Sequence, residues 1–393
     1  MVTAHKRGLG GERGQTSIVG AITSESRQVR TGRWTKAERE WAALFARAPH
    51  ASPYLASAWV SSYVDTFAGV LPCEQLLVRN QYNELIASCL LTKRVDRRAL
   101  LPLRRAYLNT AGERDADSVV VEHNGVLCCA VSAAPVYEQL ALHIEQSSVD
   151  EFQLSGGTEE AVTLMLGALP HWRGDIEWRE SPCVDLAALR GAGGDHLAVI
   201  SRNTREQLRR SLRKYGEIGG LIVDAAASLS EAHAMFDEMV LLHEARWQSL
   251  GQRGGFASPV RRDFHRLFIE RAFPVGQVQL LRVRAGDRVL GVLYNLVANG
   301  HVCFYQSGLR FDDSNHLKPG LVAHHLAIQH CLRAGYDLYD FLPSSPGEGR
   351  YKNSLANTAR RLGTVLLQRP GWRRQWFGMA RAARWQWTAC KKN

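Results

Sequence analysis

A change of hydrophobic period in the second half of the chain limits the possible folds more than any other feature of the sequence. Ser228-x-x-Glu231 is a capping box that predicts the start of a helix, which continues through Trp247 and ends at Gly251. Ser258-Pro259 predicts the start of a second helix. Beyond it the apolar residues take the spacing of strands, so the order is typical of an α/β domain.

The strand region predicts an antiparallel meander followed by alternating helices and strands. Asn299-Gly300 is its strongest hairpin signal, because both residues tolerate positive φ. Pro319-Gly320 predicts the start of a helix that Gly335 ends. The meander strands are predicted at 278–283, 289–297 and 302–306, and the later elements are a strand at 337–342, a short helix at 351–356 and a last strand at 362–368.

The first half of the chain repeats this order more faintly, which indicates an internal repeat. Its predicted helices lie near 34–45, 59–67, 134–144 and 159–169, and its predicted strands at 75–78, 85–93 and 152–154 and near Ile176 and Val184. We therefore expect two α/β domains, a degenerate one over residues 34–193 and a second over residues 194–368. We expect a flexible tail at 1–33 and a basic, tryptophan-rich tail at 369–393.

Composition excludes some classes of protein and favours anionic partners. Hydrophobic residues make up 45% and charged residues 22% of the 393, which excludes a disordered or fibrous chain. No apolar run approaches the ~18 residues of a spanning helix, and the N-terminus lacks the apolar core of a secretory signal. We therefore expect a cytoplasmic protein. The net charge of +11 favours phosphates, nucleotides, anionic lipid or nucleic acid, without choosing among them.

The cysteines and histidines do not predict a metal site. None of the eight cysteines forms a Cys-x-x-Cys pair, and no His-Glu-x-x-His spacing occurs. The adjacent His324 and His325 lie on one predicted helix and point in different directions, so packed or surface histidines are expected there. We expect reduced thiols and no bound metal.

Three segments of the second half carry residues suited to chemistry at a phosphate or a carbonyl. Lys318-Pro319-Gly320-Leu321 starts a helix, where unpaired amides and a lysine charge suit a pyrophosphate. Asp340 stands in an apolar strand, where it could orient an amine or accept its proton. Tyr305, Gln306 and Ser307 end a meander strand, where α/β folds commonly meet ligands. The structural alternatives are an ordinary loop, a cap of the next turn and core packing.

Two further groups of residues have open interpretations. His243, Arg246 and Trp247 on the long helix could line a substrate cleft or a packed helix face. Arg202–Lys214 has six basic residues and one acid, which suits a phosphate-bearing substrate, nucleic acid or plain solvent exposure. The tail Arg369–Asn393 interleaves arginines with four tryptophans, which suits an anionic membrane surface, RNA bases or the protein's own body.

The segment from His301 to Leu355 resembles the acetyltransferase-like proteins of the GNAT superfamily that are often labelled CelD-type cellulose-biosynthesis proteins, relatives of the Fem-type peptidyltransferases. The family pattern is a strand ending in Tyr-x-x-Gly, a Ser-Pro-Gly helix start, an Asp-Phe-Leu strand and Tyr-Lys. Here it reads Tyr305 to Gly308, Lys318-Pro319-Gly320, Asp340-Phe341-Leu342 and Tyr351-Lys352. Lysine replaces serine at 318, and Asn353-Ser354-Leu355 stands where the family often has a tryptophan.

The resemblance implies tandem GNAT-like domains, each a mixed twisted sheet flanked by helices. It implies an N-acyltransferase that moves an acyl group from acetyl-CoA or another acyl-CoA to a small-molecule or glycan amine, in polysaccharide or cell-envelope biosynthesis. The implied catalytic residues are Asp340, Tyr305 and Tyr351. The implied CoA site comprises Lys318, Pro319, Gly320, Leu321, Gln306 and Ser307, and the implied acceptor site comprises His243, Arg246, Trp247 and Lys352.

Two alternatives to acyl-CoA transfer stay open. One is a Fem-like transferase that uses aminoacyl-tRNA and binds it through the basic segment 202–214. The other is a non-catalytic factor in exopolysaccharide assembly, in peripheral contact with an anionic inner membrane through residues 369–393.

Overall fold

The computed structural model describes residues 22–29, 35–69, 72–98, 101–110, 117–129, 133–311, 317–344 and 350–371. The elements of the first half are β1 (Thr23–Val29), α1 (Thr35–Ala46), α2 (Ser57–Phe67), β2 (Cys73–Arg79), β3 (Leu85–Arg98), β4 (Leu101–Leu108), β5 (Leu127–Cys128), α3 (Ala134–Gln146), β6 (Glu151–Thr158), α4 (Glu159–Ala168) and β7 (Arg173–Asp185). Those of the second half are α5 (Leu186–Gly191), α6 (His196–Val199), α7 (Arg202–Ile218), β8 (Leu221–Ala225), α8 (Leu229–Ser249), α9 (Pro259–Ala272), β9 (Val278–Ala285), β10 (Arg288–Ala298), β11 (His301–Leu309), α10 (Pro319–Arg333), β12 (Leu338–Asp340), α11 (Arg350–Leu355) and β13 (Thr358–Gln368).

The strands of the described residues form one mixed sheet, in the order β1-β2-β3-β4-β6-β13-β7-β12-β11-β10-β9-β8, with β5 paired to β3. The pair β4 and β6 and the pair β11 and β12 are parallel, and the other ladders of this sheet are antiparallel. Helices cover both faces. The predicted α/β class with mixed sheets flanked by helices is therefore confirmed.

The two half-chains exchange strands at the centre of the sheet. β13, from the end of the described chain, lies between β6 and β7, which belong to the first half. It pairs with β7 along its whole length, from Thr358 opposite Cys183 to Gln368 opposite Arg173. β7 in turn pairs with β12 of the second half. Each half therefore completes its sheet with a strand from the other.

The capping and hairpin predictions of the second half are confirmed. The Ser228 hydroxyl accepts a hydrogen bond from the Glu231 amide at 3.2 Å, and the Glu231 carboxylate accepts one from the Ala227 amide at 2.9 Å. Ser258 caps α9 in the same way. Asn299 and Gly300 take φ values of 49° and 75° between β10 and β11, as the hairpin requires.

Residues 23–29 correct the expected flexible tail, because they form the strand β1. All seven residues pair with β2 in antiparallel register. The sequence of β1 lacks an apolar alternation because it is an edge strand whose side chains are mostly exposed. Its Arg27 forms an ion pair of 2.7 Å with Glu40 of α1. Polar edge contacts hold this strand, and hydrophobic periodicity does not report them.

Alternate residues of β10 pack into two different cores. Val292, Tyr294 and Leu296 face a core with α2, α8 and α9, which is centred on Trp59. The Trp59 ring lies 4.9 Å from Phe264 and 5.1 Å from Phe268, between ring centroids. On the other face, β10 residues pack against α7 and α10. This central sheet is therefore rigid where β11 and β12 separate.

Only the first residues of the predicted basic tail lie in the described chain. The Arg369 guanidinium lies 4.9 Å from the Trp172 ring and donates to the backbone oxygens of Val149 and Ile144. The tail's four tryptophans lie outside the described residues. No helix in the described part of the chain combines the length and the apolar content that crossing a bilayer requires.

Candidate functional site

β11 and β12 separate near the middle of the sheet, and a cavity of about 550 Å³ lies where they part. The two strands pair in parallel only over His301–Cys303 and Leu338–Asp340. Beyond that point both chains continue along the cavity wall, as residues 304–307 and 341–344. Main-chain groups on the facing edges no longer bond to each other, so this opening can receive an extended ligand.

A β-bulge sets the position of Tyr305 in this wall. Tyr294 of β10 is opposite Gln306 and the next residue, Asn295, is opposite Phe304, so Tyr305 is the extra residue. Its ring packs 4.8 Å from His265 and 5.9 Å from Trp59, between ring centroids. The bulge therefore lets Tyr305 anchor in the aromatic core and also line the cavity.

The opposite wall contains a strained turn at Leu342. This leucine has φ of 56°, in the left-handed region that non-glycine residues rarely adopt. The Leu342 amide donates a hydrogen bond of 2.8 Å to Asp340 Oδ1, which holds the turn. Such backbone strain persists only where the surroundings impose it, and it directs Pro343 and Ser344 along the cavity.

α8 supplies three of the predicted site residues, and His243 fixes this helix against β11. His243 Nδ1 donates to the Ser307 carbonyl at 3.2 Å, and Nε2 accepts from the Gly255 amide at 3.2 Å. Burial lowers the pKa of His243, in agreement with a neutral ring. At Gly308, an added Cβ would lie 2.2 Å from the Met239 carbonyl of α8, so only glycine permits this approach.

The other predicted residues that line the cavity bring aromatic surface and positive charge. Arg246 lies 4.4 Å from the centroid of the Phe311 ring, and Trp247 lines the wall beside it. Lys352 donates a 3.0 Å hydrogen bond to the Phe341 carbonyl, and its Nζ lies 5.0 Å from the centroid of the Phe304 ring. The structure therefore brings these predicted residues into one wall: Tyr305, Gln306, Ser307, His243, Arg246, Trp247, Tyr351 and Lys352.

Glu122, which the sequence analysis missed, is the one carboxylate among the described residues that line this cavity. Its side chain is 2% exposed, and Oε1 accepts a 2.7 Å bond from Arg179. Oε2 has no hydrogen-bond partner in the described structure. Burial raises the pKa of Glu122, although Arg179 acts to lower it. A buried carboxylate with a free oxygen beside a cavity can accept a proton there.

Asp340 does not line this cavity. The carboxylate is fully buried and accepts hydrogen bonds from the Ser181 hydroxyl and the Leu342 amide. His123 and His301 also contact it. Burial acts to raise the pKa of Asp340, but these two histidines outweigh burial and hold the pKa well below its usual value. The structure thus separates Asp340 from Tyr305 and Tyr351, its predicted catalytic partners.

The start of α10, predicted to bind pyrophosphate, lies behind the cavity wall. An added Cβ at Gly320 would lie 3.4 Å from Leu309 and 3.6 Å from the Tyr351 ring, and both of those residues line the cavity. Lys318 is exposed, while Pro319 and Leu321 are buried. None of Lys318, Pro319, Gly320 and Leu321 is part of the wall itself. Their role in binding CoA stays a prediction.

A family described as acetyltransferase (GNAT) domain matches residues 202–353. The chain therefore contains a GNAT-type acetyltransferase domain. The match includes α7 through α10, and hence the α8 and β11 sides of the cavity. Glu122 and Arg179 lie before it in the chain. No curated protein matches the sequence.

Several solved structures share the fold at low sequence identity. The crystal structure of FemX is 9% identical, with a TM-score of 0.56, over 87% of this chain and 96% of FemX. A conserved protein of unknown function from Bacteroides thetaiotaomicron VPI-5482 is 9% identical, with a TM-score of 0.50, over 84% of this chain and 97% of that one. A tandem GNAT protein from the clavulanic acid biosynthesis pathway is 11% identical, with a TM-score of 0.46, over 89% and 100%.

Proposed function

We propose that this protein transfers an acyl group from acyl-CoA to an amine in the cavity between β11 and β12. The observation that carries the proposal is the separation of these strands inside the GNAT-type domain, beside a cavity of about 550 Å³. An extended thioester arm can bond to the unpaired strand edge at residues 304–307, as an added strand would. The acceptor amine then enters from the side of α8.

The reaction needs a base and an acid, and the cavity offers candidates for both. The amine nitrogen attacks the thioester carbonyl, so that a C–N bond forms and the C–S bond breaks. In this proposal Glu122 Oε2 accepts the amine proton, directly or through a water. Tyr305 or Tyr351 gives a proton to the departing thiolate. Glu122 replaces Asp340 in the role of base because Glu122 lines the cavity and Asp340 does not.

Positive charge near the opening supports binding of the donor's phosphates. Lys318 is exposed at the first turn of α10, where unpaired amides and the helix dipole favour an anion. Arg246 and Lys352 add two cations in the cavity wall. We propose that CoA runs from the strand edge past Tyr351 to Lys318.

The proposed acceptor is an amine on a small molecule or on a glycan, in polysaccharide or cell-envelope biosynthesis. Four aromatic side chains line the cavity on the side of α8 and β11, where they offer flat apolar surface beside polar groups: Trp247, Phe304, Tyr305 and Phe311. Such a surface suits the faces of a sugar ring.

Two measurements test the donor. Acetyl-CoA and longer acyl-CoAs should raise the melting temperature of the purified protein, because a ligand of the native state stabilises it. Lys318→Ala should weaken acyl-CoA binding about tenfold, the effect of roughly one lost charge contact. Arg333→Ala, at the exposed far end of α10, is the matched control. The pyrophosphate assignment is wrong if the two variants bind alike, and the donor is wrong if no acyl-CoA binds.

Aminoacyl-tRNA is a second candidate donor, favoured by the surface of α7. Arg209, Arg210 and Arg213 are exposed on this helix, with Leu208 and Tyr215 buried on its other side. Bulk tRNA should then bind with a steep salt dependence that Arg209→Ala, Arg210→Ala and Arg213→Ala together reduce. Equal tRNA binding by wild type and triple variant would leave acyl-CoA as the candidate.

Peripheral membrane contact through residues 369–393 is a separate proposal. Its support is the basic, tryptophan-rich composition of this tail. Co-sedimentation with vesicles of anionic lipid should be lost when residues 372–393 are deleted. Equal sedimentation of the full and shortened chains would reject it.

A further inference from the structure

Four metal-ligating side chains meet on the other side of β12 from Leu342, outside the acyl-transfer cavity. The ligand atoms of His123, His301 and Cys303 all lie within 4.8 Å of one another. Asp340 Oδ2 lies 2.8 Å from His123 Nε2 and 3.3 Å from His301 Nε2. Cys303 Sγ lies 3.4 Å from that same His301 nitrogen. Both histidines thus present Nε2 to one small volume that a thiol and a carboxylate also face.

Hydrogen bonds alone do not satisfy this arrangement. His301 Nε2 must carry a proton to donate to Asp340, and it must lack one to accept from the Cys303 thiol. In a catalytic Cys–His–Asp arrangement, the carboxylate and the thiol would contact different nitrogens of the ring. Here they contact the same nitrogen, which is the geometry of ligands around a common ion.

The surrounding structure holds these donors in place, as ligands of a metal require. Asp340 Oδ1 accepts hydrogen bonds from Ser181 and from the Leu342 amide, which directs Oδ2 towards the histidines. His301 and Cys303 are two apart on β11, so their side chains lie on one face of the sheet. His123 has φ of 49°, a strained backbone in the segment that brings its ring to this face.

We propose that His123, His301 and Cys303, with Oδ2 of Asp340, bind one transition-metal ion of the zinc class. Two imidazoles and a thiolate favour zinc or its close neighbours over the oxygen-seeking magnesium and calcium. A thiolate and a carboxylate together also balance the charge of a divalent cation. His123 belongs to the first half and the other three donors belong to the second, so the ion would link the half-chains across the sheet.

An ion can reach these residues from solvent. His123 and His301 line a second cavity of about 480 Å³, whose wall also contains Asn124, Thr158 and Arg360. This cavity and the acyl-transfer cavity share none of the residues that line them. The proposal is therefore independent of acyl transfer, and either can fail without the other.

The test measures metal on tag-free, full-length protein. After treatment with a chelator and dialysis against zinc, we expect one zinc per chain by elemental analysis, and a melting temperature that rises with zinc and is unchanged by magnesium. Cobalt(II) in the same site should give the intense visible absorption of four-coordinate cobalt, with a sulfur-to-cobalt band in the near ultraviolet. Wild-type protein that retains less than about a tenth of an equivalent, with no cobalt spectrum, overturns the proposal.

Variants assign the ligands. Cys303→Ser should lose the sulfur-to-cobalt band, and His301→Gln should weaken zinc binding at least ~10-fold. Cys89→Ser is the matched control, because Cys89 is also buried but lies in the core of the first half. His123→Gln replaces His301→Gln if the latter does not fold. Zinc bound with the same affinity and cobalt spectrum by Cys303→Ser and Cys89→Ser overturns the assignment, and the metal is then at another place.

Discussion

Glu122→Gln is the substitution that most directly separates chemistry from stability in this protein. The amide keeps the shape of the carboxylate but cannot accept the amine proton. A lost general base lowers turnover about 10²- to 10⁴-fold, or roughly 3–5 kcal/mol of barrier. We expect that loss in kcat, with the affinity for acyl-CoA unchanged, because Glu122 is proposed to contact the amine and not the donor.

The same substitution should leave stability almost unchanged, because two effects oppose each other. Burial raises the pKa of Glu122, so its ionised form is less well solvated in the fold than in water, and a neutral amide removes that cost. The amide also weakens the 2.7 Å bond to Arg179, and a bond to a charged group is worth about 1.5–3 kcal/mol. Arg179 is 35% exposed, which reduces that loss. The net change in the free energy of unfolding should stay within ~1 kcal/mol.

Glu74→Gln is the matched control, since Glu74 is a buried carboxylate remote from the cavity. Lys93 and His143 each bond to Glu74 at 2.7 Å. Burial acts to raise its pKa, but these partners outweigh burial and lower it. Its ionised form therefore stabilises the fold, and Glu74→Gln should cost about 1–3 kcal/mol without loss of turnover. Thiol release from acyl-CoA with the best amine acceptor, beside urea unfolding, reads both quantities. Folded Glu122→Gln with turnover within about threefold of wild type, or ~0.7 kcal/mol of barrier, refutes the base assignment.

Three further predictions follow from packing and burial. Residues 1–193 expressed alone should be insoluble and should become soluble when co-expressed with residues 194–393, because β13 fills the gap between β6 and β7; a soluble, folded 1–193 fragment would contradict the strand exchange. Burial lowers the pKa of His265 to about 3, so stability should fall by roughly 1.4 kcal/mol per pH unit as the pH drops from about 6.5, because the unfolded chain binds the proton; urea unfolding at several pH values should show a slope lower by about one proton in His265→Gln, and an equal slope would count against it. Gly308→Ala should destabilise the protein by about 1–3 kcal/mol and weaken acyl-CoA binding, because its Cβ meets the Met239 carbonyl; calorimetry and a titration with acetyl-CoA check both effects, and unchanged values for both reject the close contact.

The elements that sequence could predict are those whose signal is local. The capping box at Ser228 and the Asn299-Gly300 hairpin depend on a few neighbouring residues, and both appear at the predicted positions. β1 was missed because polar contacts hold this edge strand and leave no apolar alternation. The two strands predicted near Ile176 and Val184 are one strand, β7, because its partner β13 comes from residues 358–368. Pairing across such a separation leaves no local pattern.

The candidate site divides in the same way. Family motifs identified Tyr305 and Lys352, which do line the cavity, but Glu122 lies in an irregular segment of the other half-chain, with no motif around it. The donors of the proposed metal site are equally dispersed, at residues 123, 301, 303 and 340. Spacing rules for metal sites require neighbouring ligands, so the expectation of no metal followed from the sequence. Only the sheet brings these residues together.

The exchange of β7 and β13 explains why a half without recognisable motifs is still needed for function. The cavity takes Tyr305 and Lys352 from the GNAT-type domain, but its only described carboxylate, Glu122, comes from the first half. Arg179, the partner of Glu122, lies on β7, which pairs with both β12 and β13. A shift of β7 would therefore move the proposed base relative to the strand edge that receives the thioester. The first half contributes position and one charge, and neither of these requires a motif of its own.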